Sequence, residues 1–249
     1  MVALLILVRV GGFVILIPVL GHKLVPPPVK AGLAVLITFL LYPVVSPSIP
    51  VISPEPIVFM LLAAQEMLLA GILALLANLI FSAVQFAGQM MSFQMGMSIA
   101  NVFDPATSAQ GAITAQLASV LAMLLWLTAG AHHAFLLALA DSFSILPIGQ
   151  AWASGGWVIL NDAAADMFVL ALRLVAPVLL LLFFVNVALG LVSRAVPQIQ
   201  VFFVSFPLTV GVGLLVFALS MPSIVSLTYD AFVSLGDQLP AMMRSLKGG

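Results

Sequence analysis

Long apolar stretches, separated by shorter connections rich in proline and polar residues, make up most of this chain. The apolar stretches lie at about 2–21, 29–53, 57–86, 112–140, 165–192 and 201–229. Each is long enough for the ~20 residues that an α-helix needs to cross the hydrocarbon core of a bilayer. The pattern therefore predicts an all-α integral membrane protein of about six long, mostly apolar helices arranged as hairpins.

The composition agrees with this pattern and excludes several kinds of function. Hydrophobic residues make up 64% of the chain and charged residues 6%, and the formal net charge is -1. Soluble domains average about 45–50% and about 25% respectively. A chain with so few basic residues offers no surface for nucleic acid. The absence of cysteine removes disulfides, iron–sulfur clusters and thiolate zinc sites, and we expect no cofactor.

Two uncharged runs are longer than one membrane crossing requires. They cover residues 67–103 and 105–140. The only residues in the second run that can carry a charge are His132 and His133, which are counted as neutral. A continuous helix over the first run would be ~55 Å long, whereas the hydrocarbon core is ~30 Å thick. We therefore expect these helices to tilt, bend or re-enter the membrane, or to be covered by protein.

Small and polar residues recur along one face of the first run. They are spaced by three or four residues, which places them on one side of a helix. These positions are Asn78, Ser82, Gln85, Gln89, Ser92 and Gly96. A shorter stripe of the same kind contains Asn186, Gly190, Ser193 and Pro197. Such stripes permit close helix packing with hydrogen bonds, or they line a wet channel, and the pattern leaves both interpretations open.

A cluster of methionines lies beside the first stripe. Met90, Met91, Met95 and Met97 fall within eight residues of each other. Methionine side chains are unbranched and adaptable, so they fill irregular cores well. The same property suits a deformable seal around a path that must sometimes open. Both a core role and a role as a constriction seal are compatible with the spacing.

Helical periodicity is lost after the methionines, over residues 98–111. Polar and turn-forming residues follow closely there, namely Asn101, Asp104, Pro105, Thr107, Ser108, Gln110 and Gly111. Non-helical backbone at membrane depth survives only where protein buries it or where it lines an aqueous cavity. This loop is therefore a candidate gate if it lies within the membrane, and a simple turn if it lies outside.

Catalytic patterns are weak, and we predict that the chain is not an enzyme. His132 and His133 are adjacent, so they lie on different helix faces and do not match the spaced histidine pair of a zinc protease helix. Asp141, Asp162 and Asp166 form an acidic edge that is solvated or, alternatively, belongs to a proton or cation pathway. No residue is predicted to be catalytic, cofactor-binding or metal-binding.

Three charged residues interrupt apolar stretches, namely Arg9, Glu66 and Arg173. An unpaired ion in lipid is costly, so each requires a partner or access to the membrane interface. Glu66 can pair with Arg9 or Arg173 across neighbouring helices, or any of the three can pair with a charge on another subunit. We expect these residues to have a structural role rather than a role in transport.

Five blocks of sequence, in this order, identify a family resemblance. They are RVGGFVILIPVLG, VPPPVKAGLAVLI, QFAGQMMSFQMGMSIANVFDP, LWLTAGAHHAFLLALADSFSILPIG and GLVSRAVPQIQVFFVSFPLTVGVGL. Together they resemble the FliR family of flagellar export proteins and its injectisome relatives, with the flagellar branch closer. The resemblance covers nearly the whole chain.

The resemblance implies a non-enzymatic core subunit of a multi-subunit, helical export gate of flagellar type III secretion. Such a subunit assembles with FliP and FliQ in the bacterial inner membrane, at the flagellar basal body, and the gate passes unfolded flagellar proteins. FlhB, FlhA, proximal rod proteins and membrane lipid would be further partners. Residues 1–249 would form one membrane domain, with a FliP-like part over 1–150, a FliQ-like hairpin over 165–235 and a tail over 236–249.

The resemblance also assigns roles to particular residues. A plug loop would contain Ser98, Asn101, Phe103, Asp104, Pro105, Gln110 and Gly111, with the four methionines close to the constriction. A structural turn would contain Arg194, Pro197 and Gln198. The competing hypothesis is a stand-alone small-molecule or ion transporter, for which paired broken helices and ionisable residues at the midplane are expected. No internal two-fold repetition is visible in the sequence.

Overall fold

The computed structural model describes residues 1–22, 25–49, 55–97, 113–150, 156–195 and 201–246. Within these ranges the regular structure is helical and no strand occurs. The prediction of an all-α fold is therefore confirmed.

Seven α-helices form the described part of the chain. They are α1 (Val2–Leu16), α2 (Pro27–Val45), α3 (Pro56–Gln94), α4 (Ile113–Thr128), α5 (Ala131–Ile145), α6 (Gly156–Ala195) and α7 (Val201–Leu246). A short 3₁₀ helix, Ser46–Ser48, follows α2.

Prolines set the boundary between the first two helices. Ile17 follows α1 with φ -69° and ψ 138°, the extended conformation that the ring of Pro18 imposes on the residue before it. Pro27 occupies the first position of α2, where a helix does not require the N–H that proline lacks. The first helix therefore ends after 15 residues, too few to cross a bilayer alone.

The apolar stretch over 112–140 is not one continuous helix, because the chain breaks there into α4 and α5, and of the expected alternatives for this run it shows the bend. Gly130 has φ 66°, a left-handed conformation that glycine adopts without a steric cost. The two helices on either side of it are bent by 65°. The charge-free run thus fits its surroundings by bending rather than by forming one long helix.

The number of possible membrane spans is lower than about six in the described ranges. Four helices are long and apolar enough to cross a bilayer, or five if the bent pair α4 and α5 counts as one span. The difference arises from α1, which is too short, and from the break at Gly130. The main prediction of long, mostly apolar membrane helices holds.

Three helices are much longer than a bilayer is thick. The lengths of α3, α6 and α7 are 39, 40 and 46 residues, which correspond to ~58, ~60 and ~69 Å at 1.5 Å per residue. The hydrocarbon core spans ~30 Å. The expectation of excess length is confirmed for the first uncharged run, and α6 and α7 share the same property.

The chain divides into two compact units. The first contains Met1–Leu79, Leu127–Ala165 and Phe232–Gly249, and the second contains Ile80–Trp126 and Asp166–Ala231. The division into a FliP-like part over 1–150 and a FliQ-like hairpin over 165–235 concerns likeness to other proteins, and it stays a prediction.

Each unit has its own packed interior. In the first unit, Leu69, Leu146 and Leu246 form a buried cluster with Ile72 and Ile145 packed against it. The core of the second unit is larger and includes Val84, Ala87, Met91, Met95, Ala118, Ala122, Leu174, Val175, Val178, Leu182, Phe217 and Ile224. Its three alanines come from α3 and α4, where small side chains allow close approach of membrane helices.

Candidate functional site

A glycine turn ends α3 immediately before the predicted plug loop. Gly96 has φ 78°, its N–H donates to Phe93 O at 3.0 Å, and the Met97 N–H donates to Ser92 O at 3.1 Å. This pair of hydrogen bonds is the Schellman arrangement, which satisfies the last carbonyl groups of a helix. The direction in which the chain leaves α3 is therefore defined by hydrogen bonds.

The methionine cluster lies in the core of the second unit. Met91 and Met95 are buried, with 2% and 0% of their surface exposed, and Met90 and Met97 are partly buried against the same core. Their surroundings come from α4, α6 and α7. The geometry matches the core-filling interpretation of these residues, and their role as a constriction seal stays a prediction.

Helix α7 approaches the end of α3 at a glycine. A Cβ atom at Gly213 would lie 2.5 Å from Met95 Cγ and 3.0 Å from its sulfur, so only glycine leaves room for this side chain. One turn away along α7, the Thr209 hydroxyl lies 3.2 Å from Met95 O and 2.9 Å from Ser205 O, and its single proton is shared between these acceptors. Met95 thus contacts α7 through both its side chain and its carbonyl group.

The start of α4, at the other end of the plug segment, is held against α3. Thr114 Oγ1 is buried and donates to Gly88 O at 2.7 Å. A Cβ atom at Gly88 would lie 2.6 Å from Ala115 Cα, so the two backbones are in close contact. The helices that flank the predicted loop are therefore both anchored within the second unit.

The predicted plug residues lie outside the described part of the chain. They are Ser98, Asn101, Phe103, Asp104, Pro105, Gln110 and Gly111. The contacts of this loop stay predictions, as does its role as a plug.

The polar stripe of α3 divides into exposed and packed positions. Ser82, Gln85 and Gln89 are exposed, whereas Ser92 is buried. Asn78 Nδ2 donates to Leu16 O at 2.9 Å and to Ala74 O at 2.8 Å, so it connects α3 to the end of α1. The middle of the stripe therefore faces outward from this chain, on a helix whose other face is buried in the core.

A buried ion pair lies in the first unit. Arg9 on α1 and Glu66 on α3 are both fully buried, and Arg9 Nε donates to Glu66 Oε2. The sequence left Glu66 with Arg9 or Arg173 as possible partners, and the structure selects Arg9. The ion pair thus links α1 to α3, in addition to the hydrogen bond from Asn78 to Leu16 O.

Helix α5 completes the surroundings of the Arg9 guanidinium. The guanidinium nitrogens donate to Ser142 Oγ at 3.1 Å and to Leu146 O at 2.9 Å. The Phe143 ring centroid lies 4.2 Å from Arg9 Cζ. Glu66 Oε1 is buried and has no hydrogen-bond partner among the residues that the structure describes. Nothing in the sequence pointed to Ser142, Phe143 and Leu146, because no local pattern brings residues so far apart in sequence to one guanidinium.

The third charge within an apolar stretch has a different environment. Arg173 is exposed on α6 and has no hydrogen bond or ion pair among the residues that the structure describes. The opposite face of α6 is buried at Leu174, Val178 and Leu182. Of the two alternatives predicted for Arg173, a charged partner or access to the membrane interface, the partner is not supplied within the described part of this chain.

Comparison with known proteins identifies the family. The family model described as bacterial export proteins, family 1, matches residues 1–235. The flagellar biosynthetic protein FliR of Bacillus subtilis (strain 168) is 35% identical over 236 residues, which cover 92% of this chain and 89% of that protein. The chain belongs to the FliR family of bacterial export proteins. The resemblance found in the sequence blocks is therefore confirmed.

Other FliR proteins match over similar lengths. That of Escherichia coli (strain K12) is 34% identical over 243 residues, covering 96% of this chain and 92% of the relative. That of Caulobacter vibrioides is 30% identical over 246 residues, covering 95% and 94%. The similarity includes the helices of both compact units, so the family membership concerns the whole fold.

The described residues of the predicted structural turn and of the second stripe lie in the C-terminal part of α6. Arg194 is exposed in the last turn of α6, and Pro197 and Gln198 lie outside the described residues. In the second stripe, Asn186 and Gly190 are exposed and Ser193 Oγ donates to Gly190 O at 2.7 Å. The roles of both groups stay predictions.

The rings of the two adjacent histidines are in contact at the start of α5, tilted by 41° to each other. The ring centroids of His132 and His133 are 4.0 Å apart. A metal site requires convergent ligands, and no group of three or more metal-binding side chains occurs in the described ranges of the chain. The histidines therefore contribute a packed pair beside the bend at Gly130 rather than a recognisable ligand set.

Proposed function

We propose that the chain is a core subunit of the flagellar type III secretion export gate in the bacterial inner membrane. In this proposal it assembles with FliP and FliQ, contacts FlhB, FlhA and proximal rod proteins, and lines part of the path of unfolded flagellar proteins. The observation that carries the proposal is the match to FliR proteins over both compact units. Its role is structural and mechanical, not enzymatic.

The excess helix length supports a role inside a larger assembly. Helices α3, α6 and α7 exceed the ~30 Å hydrocarbon core about twofold, and they carry many exposed, bulky apolar side chains. A single bilayer cannot cover such surfaces completely. Neighbouring subunits of a gate complex would cover the part that extends beyond the lipid.

The anchored ends of the 98–112 segment support a plug there. Met95 and Thr114 are held by hydrogen bonds and close backbone contacts on either side of the segment. A loop with firmly held ends can close a path by packing and open when an arriving chain displaces it. Gating would then be passive, because substrate shifts an existing balance between closed and open states.

The polar face of α3 supports a hydrated path beside this plug. Ser82, Gln85 and Gln89 offer exposed hydrogen-bonding groups without charge. Uncharged polar groups exchange hydrogen bonds with any peptide backbone, which suits a channel that passes many different unfolded sequences. The same residues would otherwise serve the packing of a neighbouring helix.

The plug is tested by deleting residues 103–110 and measuring ion leakage across the inner membrane and export of filament protein. We expect the complex to assemble with FliP and FliQ and the membrane to leak ions. A variant in which a Gly/Ser linker of equal length replaces the segment separates loss of the plug from shortening of the connection, and it should leak as well. If both variants assemble, leak nothing and export at the normal rate, the segment is only a connector.

The gate proposal itself has a separate test. The unaltered chain should restore filament export to cells that lack it, and tagged protein should co-purify with FliP and FliQ from mild detergent. Export without co-purification of FliP and FliQ would contradict the assembly. A symmetric complex of this chain alone would favour the transporter hypothesis instead.

A further inference from the structure

One face of α6 is exposed along most of its length in the second unit. Its residues follow each other at alternating spacings of four and three. They are Arg173, Pro177, Leu180, Phe184, Val187 and Leu191, and all are exposed. Alternating spacings of three and four give the straight seam along which a second helix packs. We call this surface the Arg173 face.

Size and apolar character distinguish this face from an ordinary solvated one. The side chains of Leu180, Phe184 and Leu191 are 62%, 64% and 66% exposed. From Arg173 to Leu191 the face is ~27 Å long at 1.5 Å per residue. An apolar helix of a protein or the acyl chains of lipid would both cover such a surface, so the apolar residues alone do not identify the occupant.

The charge of Arg173 distinguishes these two occupants. If the hydrocarbon core covers the uncharged segment 174–193, the bulky apolar side chains of Val169 and Leu172, 45% and 57% exposed, lie beyond it. If the core instead includes Val169 and Leu172, the guanidinium of Arg173 lies in hydrocarbon without a counter-charge, which is costly. A lipid phosphate would supply the counter-charge for Arg173 but would leave Val169 and Leu172 uncovered. A protein helix supplies the counter-charge and also covers these apolar side chains, wherever the hydrocarbon core begins.

We infer that an apolar helix from another protein chain packs along the Arg173 face and places an Asp or Glu carboxylate against the Arg173 guanidinium. This inference rests on the proposed function, because it assigns the face to a neighbouring subunit of the gate. Arginine suits the position because its planar guanidinium binds a carboxylate with two parallel hydrogen bonds. The buried pair of Arg9 and Glu66 shows the same chemistry within this chain.

Photo-cross-linking tests the occupant directly. A photoreactive amino acid at Leu180 should link to a helix of another gate protein, and the linked peptide should carry an Asp or Glu close to the level of Arg173. Leu219 on α7, 73% exposed, is the matched control and should not link to that peptide. Links from Leu180 to lipid only, or to a peptide without an acidic residue near Arg173, would overturn the inference.

Charge exchange tests the ion pair itself. Arg173→Glu should reduce the amount of the linked partner that co-purifies roughly tenfold or more, since breaking one side of a desolvated pair leaves the other charge unmatched. Replacing the partner's carboxylate by arginine should restore it, which also shows that the Arg173→Glu chain folds. Arg244→Glu, a reversal at an exposed arginine near the end of α7, should leave co-purification unchanged.

The outcomes separate this inference from the proposed function. If the unaltered chain restores export, but the exchange at Arg173 fails to recover the partner, the inference is wrong and the gate proposal stands. If the unaltered chain neither restores export nor co-purifies with FliP and FliQ, the gate proposal fails. Cross-linking between Arg173 faces of two copies of this chain would overturn the inference as well, because the inference assigns the face to a different gate protein.

Discussion

Removing one member of the Arg9–Glu66 pair should destabilise the first unit far more than removing both. Glu66→Leu leaves the Arg9 guanidinium buried with two hydrogen-bond acceptors and an aromatic ring, but without its counter-charge. Arg9→Met leaves the Glu66 carboxylate buried, and its Oε1 already has no hydrogen-bond partner within the described ranges. Breaking a buried ion pair in this way typically costs about 3–5 kcal/mol.

The double variant Arg9→Met with Glu66→Leu removes both charges and fills the space with side chains of similar size. The remaining loss of stability comes from Leu146 O, which loses its hydrogen-bond donor Arg9. Ser142 Oγ keeps a partner, since it still donates to Leu139 O at 2.6 Å. One unsatisfied buried carbonyl costs about 1–3 kcal/mol. The double variant should therefore be more stable than either single variant by about 2 kcal/mol, a difference of roughly 30-fold in the unfolding equilibrium.

The measurement is reversible unfolding in mixed detergent micelles of increasing denaturing-detergent fraction, followed by circular dichroism, for the parent and the three variants. Asp237→Asn, at an exposed position on α7, serves as the control for loss of a charge and should change the unfolding free energy by less than about 0.5 kcal/mol. If the effects of the two single variants add in the double variant, the two charges are not energetically coupled. The ion pair would then not stabilise the contact between α1 and α3.

Two further predictions concern glycines. Gly213→Ala should lower stability by about 1–3 kcal/mol, since its Cβ would overlap Met95. Adding Met95→Ala to this variant should relieve much of the overlap. Gly211→Ala is the control, because there is open space around Gly211. Thermal unfolding of the solubilised protein measures all three, and equal effects at both glycines would contradict the close contact. Gly130→Ala should cost about 1 kcal/mol and Gly130→Asn less, because asparagine tolerates the left-handed conformation better than alanine; equal stability of the two variants would show that positive φ is not required at the bend.

Much of the fold was predictable because it depends on properties that add up along the chain. Apolar length predicted membrane helices, and the uncharged run 67–103 predicted a helix longer than a bilayer, as α3 is. The break at Gly130 was missed. A single glycine inside an apolar run is compatible with a continuous helix, and only the packing of α4 and α5 decides whether its left-handed conformation is used.

The candidate site was predictable to a smaller extent. The loss of helical periodicity after Met97 predicted that α3 ends near there, although Gly96, predicted on the helical stripe, lies in the turn that ends the helix. The methionine cluster was visible in the sequence. The approach of Gly213 to Met95, by contrast, joins residues more than a hundred positions apart. Its only signal in the sequence was a glycine inside an apolar helix, which often marks a close contact without naming the partner.

The sequence alone determined that this is a helical membrane protein, which family it resembles, and that Arg9, Glu66 and Arg173 each need a partner. Those conclusions rest on hydrophobicity, helix length and the cost of an ion in lipid, none of which requires knowing how the helices are arranged. Only the tertiary structure decided that Arg9 pairs with Glu66 while Arg173 stays exposed. Which charges meet depends on the depth and rotation of each helix relative to its neighbours, and those are set by side-chain packing within each unit.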